Sequence, residues 1–176
     1  MRTVTLPLTP ETIEDLRAGE PVALSGELYV ARDAAHARLV ALLEAGQPLP
    51  FPLRGAVVYY MGPTPTPPGA VIGSCGPTTA SRMDPFAPTL LAHGLAGMIG
   101  KGQRSAAVVE ALVRHRGVYF YAYGGCGAYY ASRVTENRLV AFEDLGPEAI
   151  FRLVVQDFPV VVANDCHGAS AFFEPR

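Results

Sequence analysis

The stretch that decides the fold is VALSGELYVARDAAHARLVALLEAG, residues 22–46. Its first part, Val22–Val30, is rich in apolar residues and predicts a strand or hairpin. Asp33 then precedes an apolar stripe typical of one helix face, and Gly46 follows it as a stop signal; the stripe is Ala35, Leu39, Leu42 and Leu43. We predict a strand followed by a helix over Asp33–Ala45, which is the repeating unit of an α/β fold.

The rest of the chain continues this alternation. Apolar runs predict further strands at Val4–Leu6, Ala56–Met61, Val71–Ser74, Val118–Ala122, Leu139–Phe142, Arg152–Val155 and Val160–Ala163. Capping signals predict helices that begin at Thr9-Pro10, Asp84-Pro85 and Ser105, and a helical turn at Ala128–Ser132. We therefore predict an α/β fold with a mixed central sheet flanked by helices, as a single domain over residues 1–176.

The composition argues against two classes of function. Charged residues make up 17% of the chain and its net charge is -2, whereas nucleic-acid binding requires a dense basic surface. No apolar run approaches the roughly 20 residues that span a bilayer. The N-terminal residues lack the apolar core of a signal peptide. We expect a cytoplasmic protein that binds neither nucleic acid nor membrane.

Cysteine usage predicts neither a disulfide framework nor a metal site on this chain. Cys75, Cys126 and Cys166 are odd in number and widely spaced, and no C-x-x-C pair is present. Buried, unreactive thiols are the ordinary interpretation, although scattered cysteines can converge in space.

Three cations stand beside unusual backbone. Arg32 lies where a strand meets a helix, Arg82 belongs to GPTTASRMD (residues 76–84), and Lys101 has a glycine on each side. Lys101 is the single lysine beside thirteen arginines, which favours a position that needs a compact ammonium group. Because arginine forks match carboxylates, the three side chains together predict an acidic small-molecule substrate.

The GPTTASRMD segment itself predicts a binding element. Its Gly-Pro pair forces a turn, after which Thr78 or Thr79 starts a short helix whose free N–H groups can receive an anion. Thr78 and Arg82 would share a helical face. The glycine turn at residues 123–127 is interpreted as tight packing. Ordinary alternatives remain, namely a surface salt bridge for Arg32, capping for the threonines and a structural role for His36.

The chain resembles the β subunit, or C-terminal domain, of class I fumarate hydratase and L-tartrate dehydratase. The resemblance lies in five segments in order: Ser25-Gly26, RDAAH (32–36), GPTTASRMD (76–84), GKG (100–102) and AFEDLG (141–146). It implies a swivelling β/β/α domain. It also implies that the chain is the β subunit of an iron–sulfur hydro-lyase that hydrates or dehydrates a small dicarboxylate. Fumarate and (S)-malate are the first candidates for its substrate pair. A separate α subunit would hold the 4Fe–4S cluster, and the two chains would form a heterotetramer.

The resemblance also implies roles for single residues. By position, Arg32, Arg82 and Lys101 would bind the substrate carboxylates. Thr78 would be the candidate base for the C3 proton and Lys101 its catalytic neighbour. The supporting residues would be Asp33, His36 and Thr79.

Three other functions stay open at this point. The chain could be the β subunit of an L-tartrate dehydratase, or a non-catalytic carboxylate-binding module on the same fold. A thiol enzyme is the third, with Cys75 or Cys126 paired to His36 or His167, although no local signature supplies the base that a cysteine nucleophile requires.

Overall fold

A computed structural model describes residues 1–172 of the chain. The strands are β1 (Arg2–Thr5), β2 (Pro21–Val30), β3 (Val57–Tyr59), β4 (Gly97–Gly100), β5 (Val118–Tyr121), β6 (Val134–Ala141) and β7 (Ile150–Asn164). The α-helices are α1 (Pro10–Asp15), α2 (Asp33–Glu44), α3 (Ala87–Ala92), α4 (Ala106–His115) and α5 (Gly127–Ala131). Two 3₁₀ helices span Ala80–Met83 and Glu143–Glu148.

The strands form one mixed sheet in the order β1-β2-β3-β4-β5-β7-β6. Strands β1 to β5 are parallel to one another, and β7 runs antiparallel to both β5 and β6. β7 also pairs antiparallel with β2 along Pro21–Val30. The strands β2, β3, β4, β5 and β7 therefore form a closed circuit of pairings.

Alternate strand residues face two separate cores. Val57 and Tyr59 of β3 lie in a core built from the strands together with parts of α1 and α5. Val58 and Tyr60 lie in a second core, which they share with the apolar faces of α2, α3 and α4. This alternation follows from the two-residue period of a strand. The predicted α/β fold with a mixed central sheet and flanking helices is confirmed.

The C-terminal strand differs from the prediction. Arg152–Val155 and Val160–Ala163, predicted as separate strands, are parts of the single strand β7. The residues between them indicated a break because Asp157 is polar and Pro159 lacks an N–H group. The strand continues because it bulges there: Asp157 has φ +51° and its N–H donates to Ser25 Oγ (3.0 Å).

Three local predictions were wrong. Val71–Ser74 forms no strand. Asp33 is the first residue of α2 rather than its cap, because Arg32 occupies the N-cap position. The helix predicted from Asp84 begins only at Ala87, since the Asp84 carboxylate accepts from other partners, described below. No helix in the described part of the chain is long and apolar enough to cross a membrane.

Candidate active site

The carboxyl ends of the parallel strands carry the predicted cations. Arg32 follows shortly after β2, and Lys101 follows β4 directly. In a parallel sheet these ends lie along one edge, where α/β proteins place their ligands. Arg82 lies in the 3₁₀ helix Ala80–Met83, which hydrogen bonds to Lys101 and contacts the start of α2. The fold therefore places the three cations on one side of the molecule.

Thr78 and Lys101 are neighbours through their backbones. The Thr78 N–H donates to the Tyr60 carbonyl (2.7 Å), and the Thr78 carbonyl accepts from the Lys101 N–H (3.1 Å). The N–H of Ala80 in turn donates to the Lys101 carbonyl (2.8 Å). The GPTT segment therefore lies along the ends of β3 and β4, and it brings together two residues that are distant in sequence.

The prediction that Thr78 and Arg82 share a helical face was wrong. The 3₁₀ helix begins at Ala80, and Thr79 before it is extended and makes no side-chain cap hydrogen bond. Thr78 precedes both. Its N–H and carbonyl are already paired with the ends of two strands, which keeps this residue out of the helix.

The Lys101 side chain lies on the glycine turn that follows β5. Its Cδ and Nζ atoms lie 3.6 and 3.8 Å from the point where a Cβ atom on Gly124 would sit. The residue is half-buried. Its Nζ forms no ion pair within residues 1–172. An ammonium group that is supported by packing and not neutralised is available to an anionic ligand.

Arg32 is held by packing and by one carboxylate. Its Nη1 atom lies 2.7 Å from the point where a Cβ atom on Gly62 would sit, so the guanidinium group lies directly over that glycine. Its Nε atom lies 3.6 Å from Glu148 Oε1. That nitrogen is buried and has no hydrogen-bond partner within the described residues. The glycine and the glutamate together orient a guanidinium group that keeps unused hydrogen-bonding capacity.

Asp33 orients Arg82. The Nε and Nη2 atoms of Arg82 both lie 3.0 Å from Asp33 Oδ2. The two side chains are 48% and 35% exposed, and pairs this accessible contribute at most about 1 kcal/mol. The pair therefore sets the direction of Arg82 while leaving a ligand carboxylate free to compete for it.

His36 lies fully buried beneath Arg32. Its Nδ1 atom is 2.8 Å from the Arg32 carbonyl oxygen, and its ring packs edge-on against Tyr60. Burial lowers the pKa of His36 to about 4, despite the opposing hydrogen bond to Arg32. A neutral imidazole in this place can support the Arg32 backbone, but it is closed off from a substrate.

Acid should destabilise the protein through His36. The folded-state pKa lies below the value of about 6.5 of an unfolded histidine, so the unfolded chain takes up the proton first and stability falls as the pH drops from about 6.5 towards 4. Linkage gives a loss of roughly 2 kcal/mol between pH 7 and pH 5. Urea unfolding at pH 7 and pH 5 measures this loss of unfolding free energy. The loss should be about 2 kcal/mol smaller in His36→Leu than in the wild type. Equal losses in the two proteins would contradict the prediction.

Sequence reasoning missed a buried ion pair beside the site. The Arg104 side chain is completely buried, and its Nε atom donates to Asp84 Oδ1 (2.7 Å). The guanidinium group lies 5.3 Å from the ring centre of Tyr60 and 4.9 Å from that of Tyr119. Asp84 belongs to GPTTASRMD and Arg104 follows closely after GKG, so both lie next to predicted motifs. No sequence pattern, however, distinguishes a buried arginine from an exposed one.

The three cysteines do not form one group within residues 1–172. Cys75 and Cys166 are buried, and Cys126 is exposed. Burial raises the pKa of the Cys75 thiol to about 12, and its Sγ atom lies 3.9 Å from the Gly127 carbonyl oxygen. In the part of the chain that the structure describes, no three His, Cys, Asp or Glu side chains are grouped to hold a metal ion. These residues do not fit a 4Fe–4S cluster.

The basic edge is open. The side chains of Arg32 and Arg82 are 25% and 48% exposed, and Thr79 is exposed as well. A site that excludes water around a substrate would need a further surface to cover these side chains.

By fold and charge, the chain is an α/β domain with an open basic edge at the carboxyl ends of its parallel strands. Its sequence matches the family described as Fumarase C-terminus over residues 1–174. The chain therefore belongs to that family, and the resemblance recognised in its motifs is confirmed.

Individual relatives fall into two groups. The chain is 41% identical over 171 residues to fumarate hydratase 1, mitochondrial, of Leishmania major, and 40% identical over 153 residues to the anaerobic class I fumarate hydratase of Escherichia coli K12. The alignments cover 94% and 86% of this chain but only 31% and 28% of those enzymes. A putative L(+)-tartrate dehydratase subunit beta of Methanocaldococcus jannaschii is 34% identical over 173 residues, which cover 95% of this chain and 89% of that subunit.

Proposed function

We propose that this chain is the β subunit of a two-subunit hydro-lyase that reversibly hydrates a small dicarboxylate, with fumarate and (S)-malate as the substrate pair. The observation that carries the proposal is the pairing of Thr78 with Lys101 at an open basic edge, in a domain of the Fumarase C-terminus family. The nearby Arg82, oriented by Asp33, supplies a second cation of the kind that a dicarboxylate requires.

The residues have distinct roles in this proposal. Arg32, Arg82 and Lys101 bind the two carboxylates of the substrate. Thr78 takes the C3 proton, and Lys101 is its catalytic neighbour. Three residues have supporting roles. Asp33 orients Arg82, and the His36 ring is hydrogen bonded to the Arg32 carbonyl. Thr79 pairs with Lys101 in an isolated β-bridge.

Charge development explains the need for cations. Removal of the weakly acidic C3 proton builds negative charge on the neighbouring carboxylate. Cations already in place stabilise that charge, most strongly where water is excluded. A free hydroxyl is a very weak base, so Thr78 needs a nearby positive charge to stabilise its deprotonated form. Lys101 is the cation whose backbone is bonded to it.

We assign the 4Fe–4S cluster to a partner α subunit. Two observations support this assignment: no three His, Cys, Asp or Glu side chains are grouped in residues 1–172, and the Methanocaldococcus relative is designated a subunit beta. In the proposed cytoplasmic heterotetramer the α subunit would cover the open basic edge. The closed circuit of strands with helices over one face supports the assignment of a swivelling β/β/α domain. In this proposal the domain moves as a unit over the partner.

Purification with and without the α subunit tests the proposal. Reconstituted anaerobically with iron and sulfide, the isolated chain should hold no stoichiometric cluster and should not hydrate fumarate. Co-expressed with the α subunit, the two chains should purify in equal amounts and interconvert fumarate and malate. A stable 4Fe–4S cluster on this chain alone, or separate migration of the two chains at micromolar concentration, would contradict the proposal.

L-tartrate dehydratase is the second candidate. It is favoured by the relative that this chain matches over 89% of its length, which is named as a subunit of such an enzyme. The assembled pair should be assayed with fumarate, (S)-malate and L-tartrate side by side. A higher kcat/KM for L-tartrate would favour this second candidate over fumarate hydratase.

Two candidates of other classes have less support. A thiol enzyme would need Cys75 or Cys126 ionised beside a histidine, but burial raises the pKa of the Cys75 thiol and no histidine hydrogen bonds to either thiol within residues 1–172. A non-catalytic carboxylate-binding module remains compatible with the same cations. Activity separates both candidates from the hydro-lyase. A module would bind dicarboxylate without turnover even when paired with the α subunit, and a thiol enzyme would be active as the isolated chain and sensitive to thiol reagents.

A further inference from the structure

Arg104 carries a charge into the protein interior beside Thr78 and Lys101. Its side chain is 0% exposed and that of Asp84 is 12% exposed. Taking a charge out of water is costly unless it is paired and hydrogen-bonded. The carboxylate of Asp84, the Tyr60 hydroxyl at 3.4 Å from Nη2 and the flanking rings of Tyr60 and Tyr119 provide that compensation.

Three residues that contact the guanidinium group, Tyr60, Tyr119 and Asp84, also hold part of the site's backbone, whereas the fourth contact is the Met98 sulfur (3.5 Å from Nη1). The Tyr60 carbonyl accepts from Thr78 N–H (2.7 Å). The Tyr119 hydroxyl donates to the carbonyl of Gly102 (2.8 Å), next to Lys101. The second oxygen of Asp84 accepts from Ser105 N–H (2.8 Å), where α4 begins. Arg104 therefore joins the segments that carry Thr78 and Lys101.

We propose that Arg104 is a positioning residue: its buried guanidinium group holds the Lys101 backbone against Thr78 in the proposed hydro-lyase site. The link that it controls is the hydrogen bond from Lys101 N–H to the Thr78 carbonyl (3.1 Å). Arg104 touches no substrate, because its side chain is completely buried. The proposal rests on the proposed function for its consequence in catalysis, but its structural part concerns this chain alone.

The single lysine of the chain provides a direct probe. Because Lys101 is the only lysine, labelling with α-¹⁵N-lysine gives one backbone amide signal, and it belongs to the N–H that bonds to Thr78. Hydrogen exchange of that amide reports local opening of the link, separately from global unfolding measured with urea. This readout needs neither the α subunit nor activity.

Two variants are suited to the exchange experiment. Arg104→Met removes the fork and keeps an apolar stem between the tyrosine rings. Asp84→Asn/Arg104→Met removes both charges together, so that no unpaired buried charge prevents folding. The control is Leu16→Ala, a fully buried residue after α1 that is distant in sequence from the site. It should lower global stability without a specific effect on the Lys101 amide.

In both Arg104 variants we expect the Lys101 amide to exchange at least about tenfold faster than the rate calculated from global unfolding alone. The reason is that local openings are governed by local contacts. Leu16→Ala should show no such excess. Wild-type protection in the double variant, or an equal excess in Leu16→Ala, would overturn the proposal.

The assembled enzyme supplies the second arm. With the α subunit present, the double variant should lose at least about tenfold in kcat with KM little changed, because misplacement of catalytic groups by about 1 Å is enough for such a loss. Unchanged kcat would overturn the catalytic part of the proposal. An inactive wild-type pair would overturn the proposed function instead, and the amide result would still decide whether Arg104 holds the link.

Discussion

Replacing Lys101 with arginine should lower kcat/KM of the assembled hydro-lyase by at least about tenfold, or about 1.4 kcal/mol of transition-state stabilisation. The lysine side chain lies against the glycine turn, with its Cδ atom 3.6 Å from the point where a Cβ atom on Gly124 would sit. Arginine is longer and planar, and misplacement of a charge by about 1 Å costs roughly a hundredfold in rate. Lys101→Met should lose more, on the order of 10² to 10³.

Steady-state kinetics of the purified pair measure these effects. Thermal unfolding of each variant should match that of the wild type closely, because Lys101 forms no ion pair within the described residues. The control is Arg114→Lys, an exchange of the opposite kind at an exposed position on α4, and it should change nothing. Near wild-type activity for Lys101→Arg would remove Lys101 from the site and weaken the argument from the three cations.

Gly127→Ala should cost about 2–3 kcal/mol in the free energy of unfolding, in the upper part of the range for overpacking. The added Cβ atom would lie 2.3 Å from Ser74 Oγ and 2.8 Å from the backbone nitrogen of Gly76. The serine hydroxyl can rotate away, but the backbone of Gly76 cannot. The start of α5 would therefore have to move, which would strain the hydrogen bond from Cys75 N–H to the Gly127 carbonyl (3.1 Å).

Gly76→Ala is the matched control, since it adds the same methyl group to the other side of the same contact. Its Cβ atom would meet the Gly127 backbone at 3.6 Å, an ordinary van der Waals distance. We expect a change within about 1 kcal/mol, because no overpacking results. Urea unfolding of the isolated chain measures both. A similar loss in the two variants would show that the close approach at Gly127 is not the cause.

Much of the fold could be predicted because its signals are local. The apolar run of β2 and the apolar stripe of α2 lie within residues 22–46, and the alternation continued through the parallel strands. Arg32 could be placed at a strand–helix junction from sequence alone, but β4 (Gly97–Gly100), the strand that places Lys101 on the same edge, was not predicted. The ordered motifs also identified the family, and the match over residues 1–174 confirms it. The catalytic and binding roles of single residues remain predictions.

The predictions that failed depended on partners distant in sequence. β7 was divided because Asp157 and Pro159 indicate a turn locally, whereas the hydrogen bond from Asp157 N–H to Ser25 Oγ accompanies a bulge that lets the strand continue. Thr78 was assigned to a helix because nothing nearby in sequence indicates that Tyr60 and Lys101 would take its backbone groups.

The sequence by itself determined the class of fold, the family and the types of side chain available at the site. Apolar periodicity, capping signals and the order of motifs are all properties of the linear sequence. Only the tertiary structure decided that β2 to β5 close a circuit with β7, that Lys101 lies on Gly124 and that Arg104 is buried against Asp84. The physical reason is that burial and hydrogen-bond partners are properties of the surroundings. Those surroundings exist only after segments far apart in sequence have packed together.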